Sequence, residues 1–374
     1  MRILTVSHFY EKHGGGIERV AGHLCRQFSS LGAEAAWAAS DCDPAPASGI
    51  EAVPLACINA TEKLTGLPMP LPGVSAARAL ARAVRRSDAV VVHDALYVTS
   101  ILAVLLAKAC GKRVVLIQHI AGIPFASRLL RAAMALANMI VTRPMLWAAD
   151  ARVFISDTVR RDLLGTPARH SFELLFNGVD GTVFHPGAGQ ADPSGTRRIL
   201  FVGRYVEKKG LAVVRALAES RPNLTFLLAG SGPIRPREWG LANVHDLGVQ
   251  GAEALADLYR GADLLLLPSV GEGYPLVIQE AMACGLPVVC GEPSNRADPE
   301  AAAWLRGVAI DLTDPEGSAR RCALAIDSLP ASAADRAAMS RHALARYDWE
   351  KMAKGVLALA RGKNPGFDVR PLGT

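Results

Sequence analysis

The chain has 374 residues, enough for two domains of ordinary size. Half of them are hydrophobic and a fifth are charged, the balance of a globular α/β protein rather than a disordered or fibrous one. The net charge of +6 comes without a Lys/Arg block, which argues against nucleic acid and leaves anionic small molecules or an anionic membrane surface as partners.

Residues 1–8 are too short and too polar for a signal peptide. Arg2-Ile3-Leu4-Thr5-Val6-Ser7 reads as a first parallel strand. The loop His13-Gly14-Gly15-Gly16 follows, then a helix with Ile17, Val20, Leu24, Phe28 and Leu31 at helical spacing and Gly32 as its stop. Strand, glycine loop, helix opens a nucleotide-binding fold. The dinucleotide pattern G-x-G-x-x-G is absent, which counts against NAD or FAD. Residues 41–73 give no firm pattern. Asp41-Cys42-Asp43 has the spacing of a carboxylate metal motif but lies in this Pro-rich loop, far from the other motifs.

Two strands, 89–94 and 113–119, end in His93-Asp94 and in His119. Functional side chains of open α/β sheets gather at such carboxyl ends. A lone strand-end histidine is by itself more often a satisfied structural residue. Apolar runs at 95–107 and 132–141 fall short of the roughly 20 residues of a membrane span. Residues 125–147 place Arg128, Arg131 and Arg143 among Leu129, Leu130, Met134, Leu136, Met139 and Ile140. That predicts a helix to about Thr142, broken at Pro144. It reads either as an interfacial membrane helix or, preferred here, as a core helix. A strand at 150–156 and the segment Phe176-Asn177-Gly178-Val179-Asp180 come next. Residues 186–195 form the one clear linker. The seven cysteines are odd in number and lack a C-x-x-C pair, so a disulfide framework or structural zinc is not expected, and a reducing cytoplasm is.

Beyond the linker the alternation starts afresh, with strands at 199–202, 224–229 and 244–247 and helices at 211–219 and 253–259. Gly203-Arg204-Tyr205-Val206-Glu207-Lys208-Lys209-Gly210 directly follows the first of these strands. Two cations there can neutralise a diphosphate, Arg as a planar fork and Lys as a point charge. Taken alone the cluster reads as a solvated turn, and Lys208 is assigned to solvent. Gly230-Ser231-Gly232-Pro233 and Leu247-Gly248 close the next two strands.

The apolar run 263–269 then leads into Gly271-Glu272-Gly273-Tyr274-Pro275, a helix that Pro275 starts and Gly285 stops, and a strand at 286–290. A helix N-terminus behind a glycine loop is a seat for phosphate. Glu280 stands on that helix among Leu276, Val277, Ile278, Ala281, Met282 and Ala283. A carboxylate in such surroundings needs a partner, either a pair of ligand hydroxyls or a neighbouring backbone or Arg group. Helix is again expected over 343–361.

Glu272, seven residues and Glu280, within Glu-Gly-Tyr-Pro-Leu-Val-Ile-Gln-Glu-Ala-Met-Ala-Cys-Gly-Leu-Pro-Val-Val, resemble the paired-glutamate motif of retaining glycosyltransferases of family 4. The resemblance extends to the Gly203-Arg204 and Lys209-Gly210 element, to Asn177-Gly178-Val179-Asp180 and to the first glycine loop, and runs from residue 1 to about 362. It implies a GT-B fold: two Rossmann-like domains facing across a cleft, over 1–186 and 196–344. A helix at 345–362 would cross back to the first domain, and 363–374 would be a disordered tail. It also implies a nucleotide-sugar donor and a glycan or lipid-linked sugar acceptor. No metal or other cofactor is expected, since Arg204, Lys209 and the helix N-terminus at Pro275 already supply positive charge and no cluster of acids with metal-ligand spacing accompanies them.

For the residues, the resemblance implies that His119 and Glu272 position the donor sugar and that Arg204 and Lys209 stabilise the diphosphate. Glu280 would bind the ribose. Gly15, Gly16, Gly203, Gly230, Leu247, Gly273, Tyr274, Leu276 and Val277 would contact the donor, Leu247 through backbone groups that read the base and Leu276 and Val277 through their amides. A weaker role falls to Glu18. The sequence departs from the family at Pro275, where a glycine is common, and at Gly291-Glu292-Pro293-Ser294-Asn295, which carries one glycine where two are usual. Two alternatives stay open: a sugar-nucleotide epimerase or hydrolase on the same fold, and a non-catalytic nucleotide-sugar-binding protein. The expected location is cytoplasmic, with peripheral contact at the inner face of the membrane as one reading.

Overall fold

The computed structural model describes residues 1–46, 49–59, 69–122, 128–166, 171–187, 197–329 and 332–364. Most of the expected linker, and the tail beyond Asn364, lie outside these. The chain divides into two compact units, Met1–Asn177 with Trp349–Thr374, and Gly178–Asp348.

The first unit carries β1 (Arg2–Val6), α1 (Gly16–Ser30), β2 (Glu34–Ser40), β3 (Glu51–Leu55), β4 (Cys57–Ile58), β5 (Leu71–Pro72), α2 (Val74–Arg86), β6 (Ala89–His93), α3 (Val98–Ala109) and β7 (Arg113–Gln118). It continues through α4 (Arg128–Ala137), a π-turn over Asn138–Thr142, α5 (Arg143–Ala148), β8 (Ala151–Phe154), α6 (Asp157–Leu164) and β9 (Glu173–Leu174). Its sheet is parallel in the order β3-β2-β1-β6-β7-β8-β9, and β4 and β5 form a separate antiparallel ribbon. Strands such as β6, buried at every residue, are covered on both faces, which is why they read as unbroken apolar runs.

The second unit holds β10 (Arg198–Val202), α7 (Leu211–Ser220), β11 (Thr225–Ala229), β12 (Val244–Gly248), α8 (Ala252–Gly261), β13 (Leu264–Leu267) and α9 (Leu276–Ala283). It ends with β14 (Val288–Gly291), α10 (Glu292–Asn295), β15 (Leu305–Val308), α11 (Pro315–Asp327) and α12 (Ala333–Arg346). The parallel order is β12-β11-β10-β13-β14-β15. The four leucines of β13 are fully buried, each worth roughly 1.5–3 kcal/mol of transfer free energy.

The helical end of the chain is in two pieces. The first is α12 in the second unit. The second is α13 (Trp349–Ala360), which packs on α1 in the first unit, where Trp349 stacks on His23 and the Leu359 carbonyl accepts from Arg113 Nε at 2.7 Å. The break falls at Tyr347-Asp348, where the αR run stops.

Strand order reverses once in each sheet, between β1 and β6 and between β10 and β13. At such switch points the flanking loops part and leave a crevice beyond the carboxyl ends of the strands. Ser7-His8 and Asp94 follow the first pair of strands. Gly203-Arg204 and the loop 268–275 follow the second.

The stretch from 125 differs from expectation. Helical structure continues past Thr142 through Pro144. Proline sits at the start of α5, where a missing N–H costs little, and the preceding π-turn absorbs the misfit. The segment is also no core helix. Leu129, Leu136, Met139, Ile140 and Trp147 are each more than half exposed, and within Leu129–Ala148 only Thr142, Met145 and Leu146 are buried.

Candidate functional site

In the second unit the cationic turn and the paired-glutamate motif meet. Lys209 ends a 3-10 turn whose αL stop is Gly210, a position where any side chain would collide with the Pro268 carbonyl. Its Nζ lies 2.7 Å from both Glu272 carboxylate oxygens, and both side chains are 13% exposed. Ser269 Oγ is 3.5 Å from the same carboxylate. Arg204 is exposed and makes no ion pair among the described residues, so its guanidinium is available to an anion.

Lys208 is not solvated as expected. It is half-buried, its ammonium is desolvated and held below the usual lysine range, and the charges acting on it are Glu272, Lys209 and Arg204. The Val270 N–H donates to its carbonyl at 2.9 Å, which fixes the turn against the motif loop. Two adjacent lysines beside one glutamate leave the cluster net positive.

The glycines here serve close approach. Gly230, at the end of β11, leaves no room for a Cβ against the Gly203 carbonyl, so β10 and β11 end in bare backbone. Gly273 is buried in the motif loop. Pro275 caps α9 rather than starting it, and its carbonyl takes the first helical bond from Ile278 N–H at 3.1 Å. The amides of Leu276 and Val277 precede that bond and lie at the positive end of the helix.

Glu280, one turn on, is half-buried and accepts from the Tyr259 hydroxyl at 2.9 Å. The partner it needs is thus partly supplied by the fold. Tyr274 turns inward, 3% exposed, with its hydroxyl 2.9 Å from that of Tyr347, so a donor contact from this residue falls to its backbone. Leu247 is half-buried in β12, with its carbonyl bonded by Gln250, and Gly248 N–H donates to Asp246.

In the first unit a buried polar cluster marks the β1/β6 switch point. His8 Nε2 lies 2.9 Å from Glu18 Oε1, both 3% exposed, and the His8 ring stacks on Tyr97 at 3.7 Å. Burial pushes the Glu18 carboxyl up, but the bonds and charge from His8 outweigh it and leave the group below its usual range. Glu18 is therefore committed to His8. Gly15 caps α1 and has no space for a Cβ beside the Glu18 carboxylate, while Gly16 begins the helix.

His119 Nε2 and His93 Nδ1 are 3.0 Å apart. Burial, then the charge on His8, holds His119 down at about 3, so it is neutral at physiological pH and acts as a hydrogen-bonding group rather than a cation. Asp94, in the left-handed region at φ 64°, accepts from Gln118 Nε2 at 2.8 Å. Burial raises its carboxyl to about 6. His8 Nδ1, His93 Nε2 and Asp94 Oδ2 are buried without a hydrogen-bond partner among the described residues. The signal for this cluster was the paired strand ends, but nothing in sequence tied His8 to Glu18. Asp41 and Asp43 serve the fold, Asp41 accepting from the Cys57 amide and Asp43 from His13. Among the described residues no group of three or more His, Cys, Asp and Glu is placed to hold a metal ion.

Residues 14–182 match the family described as Glycosyltransferase Family 4, and residues 196–327 match Glycosyl transferases group 1. D-inositol 3-phosphate glycosyltransferase of Segniliparus rotundus is 34% identical over 224 residues, covering 52% of this chain and 48% of that protein. Its counterpart in Mycolicibacterium smegmatis is 31% identical over 212 residues, covering 51% and 47%. The matches thus span about half the length of these curated relatives. Among solved structures, sucrose-phosphate synthase of Thermosynechococcus elongatus superposes with a TM-score of 0.72 at 19% identity, over 97% of this chain and 98% of that one. Anabaena HepE in complex with UDP and glucose gives 0.64 at 17%, over 96% and 98%. With a family match on each half and this architecture, the chain belongs to the family-4 type of glycosyltransferase with the GT-B fold.

Proposed function

We propose that this protein transfers a hexose from a nucleotide diphosphate donor to a hydroxyl acceptor, with retention of configuration. The observation that carries the reading is the Lys209–Glu272 pair with Lys208 and Arg204 beside the start of α9. A departing diphosphate gathers negative charge as the glycosidic bond breaks. Fixed cations and helix amides already aimed at that place stabilise it without reorganising. Glu272 holds the Lys209 ammonium in place beside that charge, and its carboxylate is placed to accept from sugar hydroxyls. Glu280, oriented by Tyr259, accepts from the ribose hydroxyls. His119, neutral, donates to or accepts from the donor sugar.

The same cations make the reaction independent of divalent metal in this reading. HepE was solved with UDP and glucose, which makes UDP-sugars the first donors to try. The curated relatives are named for inositol 3-phosphate, which puts inositol phosphates on the acceptor panel beside lipid-linked sugars. A thermal-shift screen of nucleotide sugars, followed by turnover with the one that binds, tests the assignment. The expected result is stabilisation by one donor and loss of turnover of about a hundredfold or more in Arg204→Ala. Release of free altered sugar without acceptor would make the protein an epimerase or hydrolase instead.

The exposed helical stretch Leu129–Ala148 supports a second element, docking on an anionic phospholipid surface. Its exposed apolar side chains share the stretch with Arg131 and Arg143. Helix α2 presents Arg78, Arg82, Arg85 and Arg86 to solvent, and α2 and α5 both pack on α3. At 1.5 Å per residue the stretch would reach roughly 30 Å, long enough to span a bilayer core. The two arginines within it favour an interfacial position, where their charges stay with the headgroups. This location would bring the enzyme to a lipid-linked acceptor.

A further inference from the structure

Tyr274 follows Glu272 by two residues, yet its phenol points away from the cationic turn into a buried polar chain. Its hydroxyl lies 2.9 Å from Tyr347 Oη, and Tyr347 Oη lies 2.9 Å from Asp298 Oδ2. Arg346 closes the chain with both Nε and Nη2 on the Asp298 carboxylate, the latter at 2.8 Å. Asp298 is fully buried, and Tyr347 is 1% exposed. Burial pushes both phenols far above their ordinary range, so both stay protonated. A carboxylate only accepts, so Tyr347 must donate to Asp298 and Tyr274 to Tyr347. The chain has one direction and no spare proton.

Its far end lies where the chain passes between the units. The second unit runs from Gly178 to Asp348. Val179 and Tyr347 lie one residue inside those two ends, and the Val179 N–H donates to the Tyr347 carbonyl at 2.9 Å. Tyr347 also caps α12. One residue therefore binds the motif loop through its side chain and the incoming chain segment through its backbone.

We propose that Tyr347 and Asp298 are positioning residues that set the Glu272 loop and transmit its occupancy to both chain passages, 178–180 and 346–348. This rests on the reading that the loop holds a nucleotide diphosphate. A buried phenol or carboxylate cannot drop a hydrogen bond without meeting the full cost of desolvation. A shift of residues 271–275 on binding therefore moves Tyr347 with it, and Tyr347 carries Val179.

Hydrogen–deuterium exchange of the full chain with and without UDP or GDP, beside calorimetric titration of the same nucleotides, tests this. In the wild type, the nucleotide that binds should slow exchange about fivefold both in the 271–277 loop and in the two passages. In Tyr347→Phe and in Asp298→Asn, it should still bind and still protect the loop, with the protection of the passages lost. A merely structural role would change exchange equally with and without nucleotide. Protection confined to the loop in the wild type, or kept in the passages of both variants, overturns the proposal. Calorimetry showing that neither nucleotide binds the wild type overturns the donor-site reading, and this inference with it.

Discussion

Glu280 and Gln279 are neighbours on α9 with opposite fates. The Glu280 carboxylate is half-buried and held by the Tyr259 hydroxyl, a geometry that presents it to a ligand at little cost in ordering. Glu280→Gln should fold normally and bind the donor roughly 1.5–3 kcal/mol more weakly, since charge-assisted bonds to a ribose are lost. Calorimetry with the identified donor checks it, and unchanged affinity would remove Glu280 from the site. Gln279 is fully buried, and neither polar atom of its amide finds a partner among the described residues. Replacing an orphaned amide by an apolar group of similar volume removes a desolvation penalty. Gln279→Leu should therefore raise stability by about 1 kcal/mol, seen as a higher urea midpoint. Glu280 stood out in sequence as an acid on an apolar helix. Its partner Tyr259 did not, because it arrives from α8, 21 residues away, only when the helices pack.

At the scale of elements, the strands that carry the site were legible and the rest of the sheets less so. Strands β6, β7 and β13 are apolar runs buried on both faces, and burial on both faces is what writes such runs. Strand β2, Glu-Ala-Ala-Trp-Ala-Ala-Ser, shows no such run. Alanine favours helix, and this segment is held extended by β1 on one side and β3 on the other. The helix near 130 had the reverse problem. Its arginine–apolar pattern fits a core helix as well as an interfacial one, and exposure removes the core reading. Liposomes rich in phosphatidylglycerol should pellet the protein at low salt, with roughly 1 kcal/mol from each basic side chain near the surface. Arg131→Glu with Arg143→Glu should abolish it. No pelleting of the wild type at low salt would refute the docking.

For the whole molecule, the proposed chemistry makes the protein its own source of positive charge. In that proposal Arg204, Lys208, Lys209 and the start of α9 take the part a divalent ion would otherwise play. Turnover of the identified donor should persist undiminished in excess chelator and fall by two orders of magnitude or more in Lys209→Ala. Activity abolished by chelator and restored by magnesium would overturn the assignment.

The two α/β halves, the family resemblance, and the motifs that carry the cations and the paired glutamates were legible in the residues alone. Those are local features: apolar runs, glycine stops and charged residues at fixed spacing. Which of them touch came from the fold. It joined Lys209 to Glu272 across 63 residues, drew Lys208 out of solvent, and gave the Glu18 carboxylate to His8. It turned Tyr274 inward onto Tyr347, 73 residues on. Such pairings depend on strand order and on which way each loop leaves its sheet, and no local run of residues encodes the end of a side chain that meets another from a distant strand.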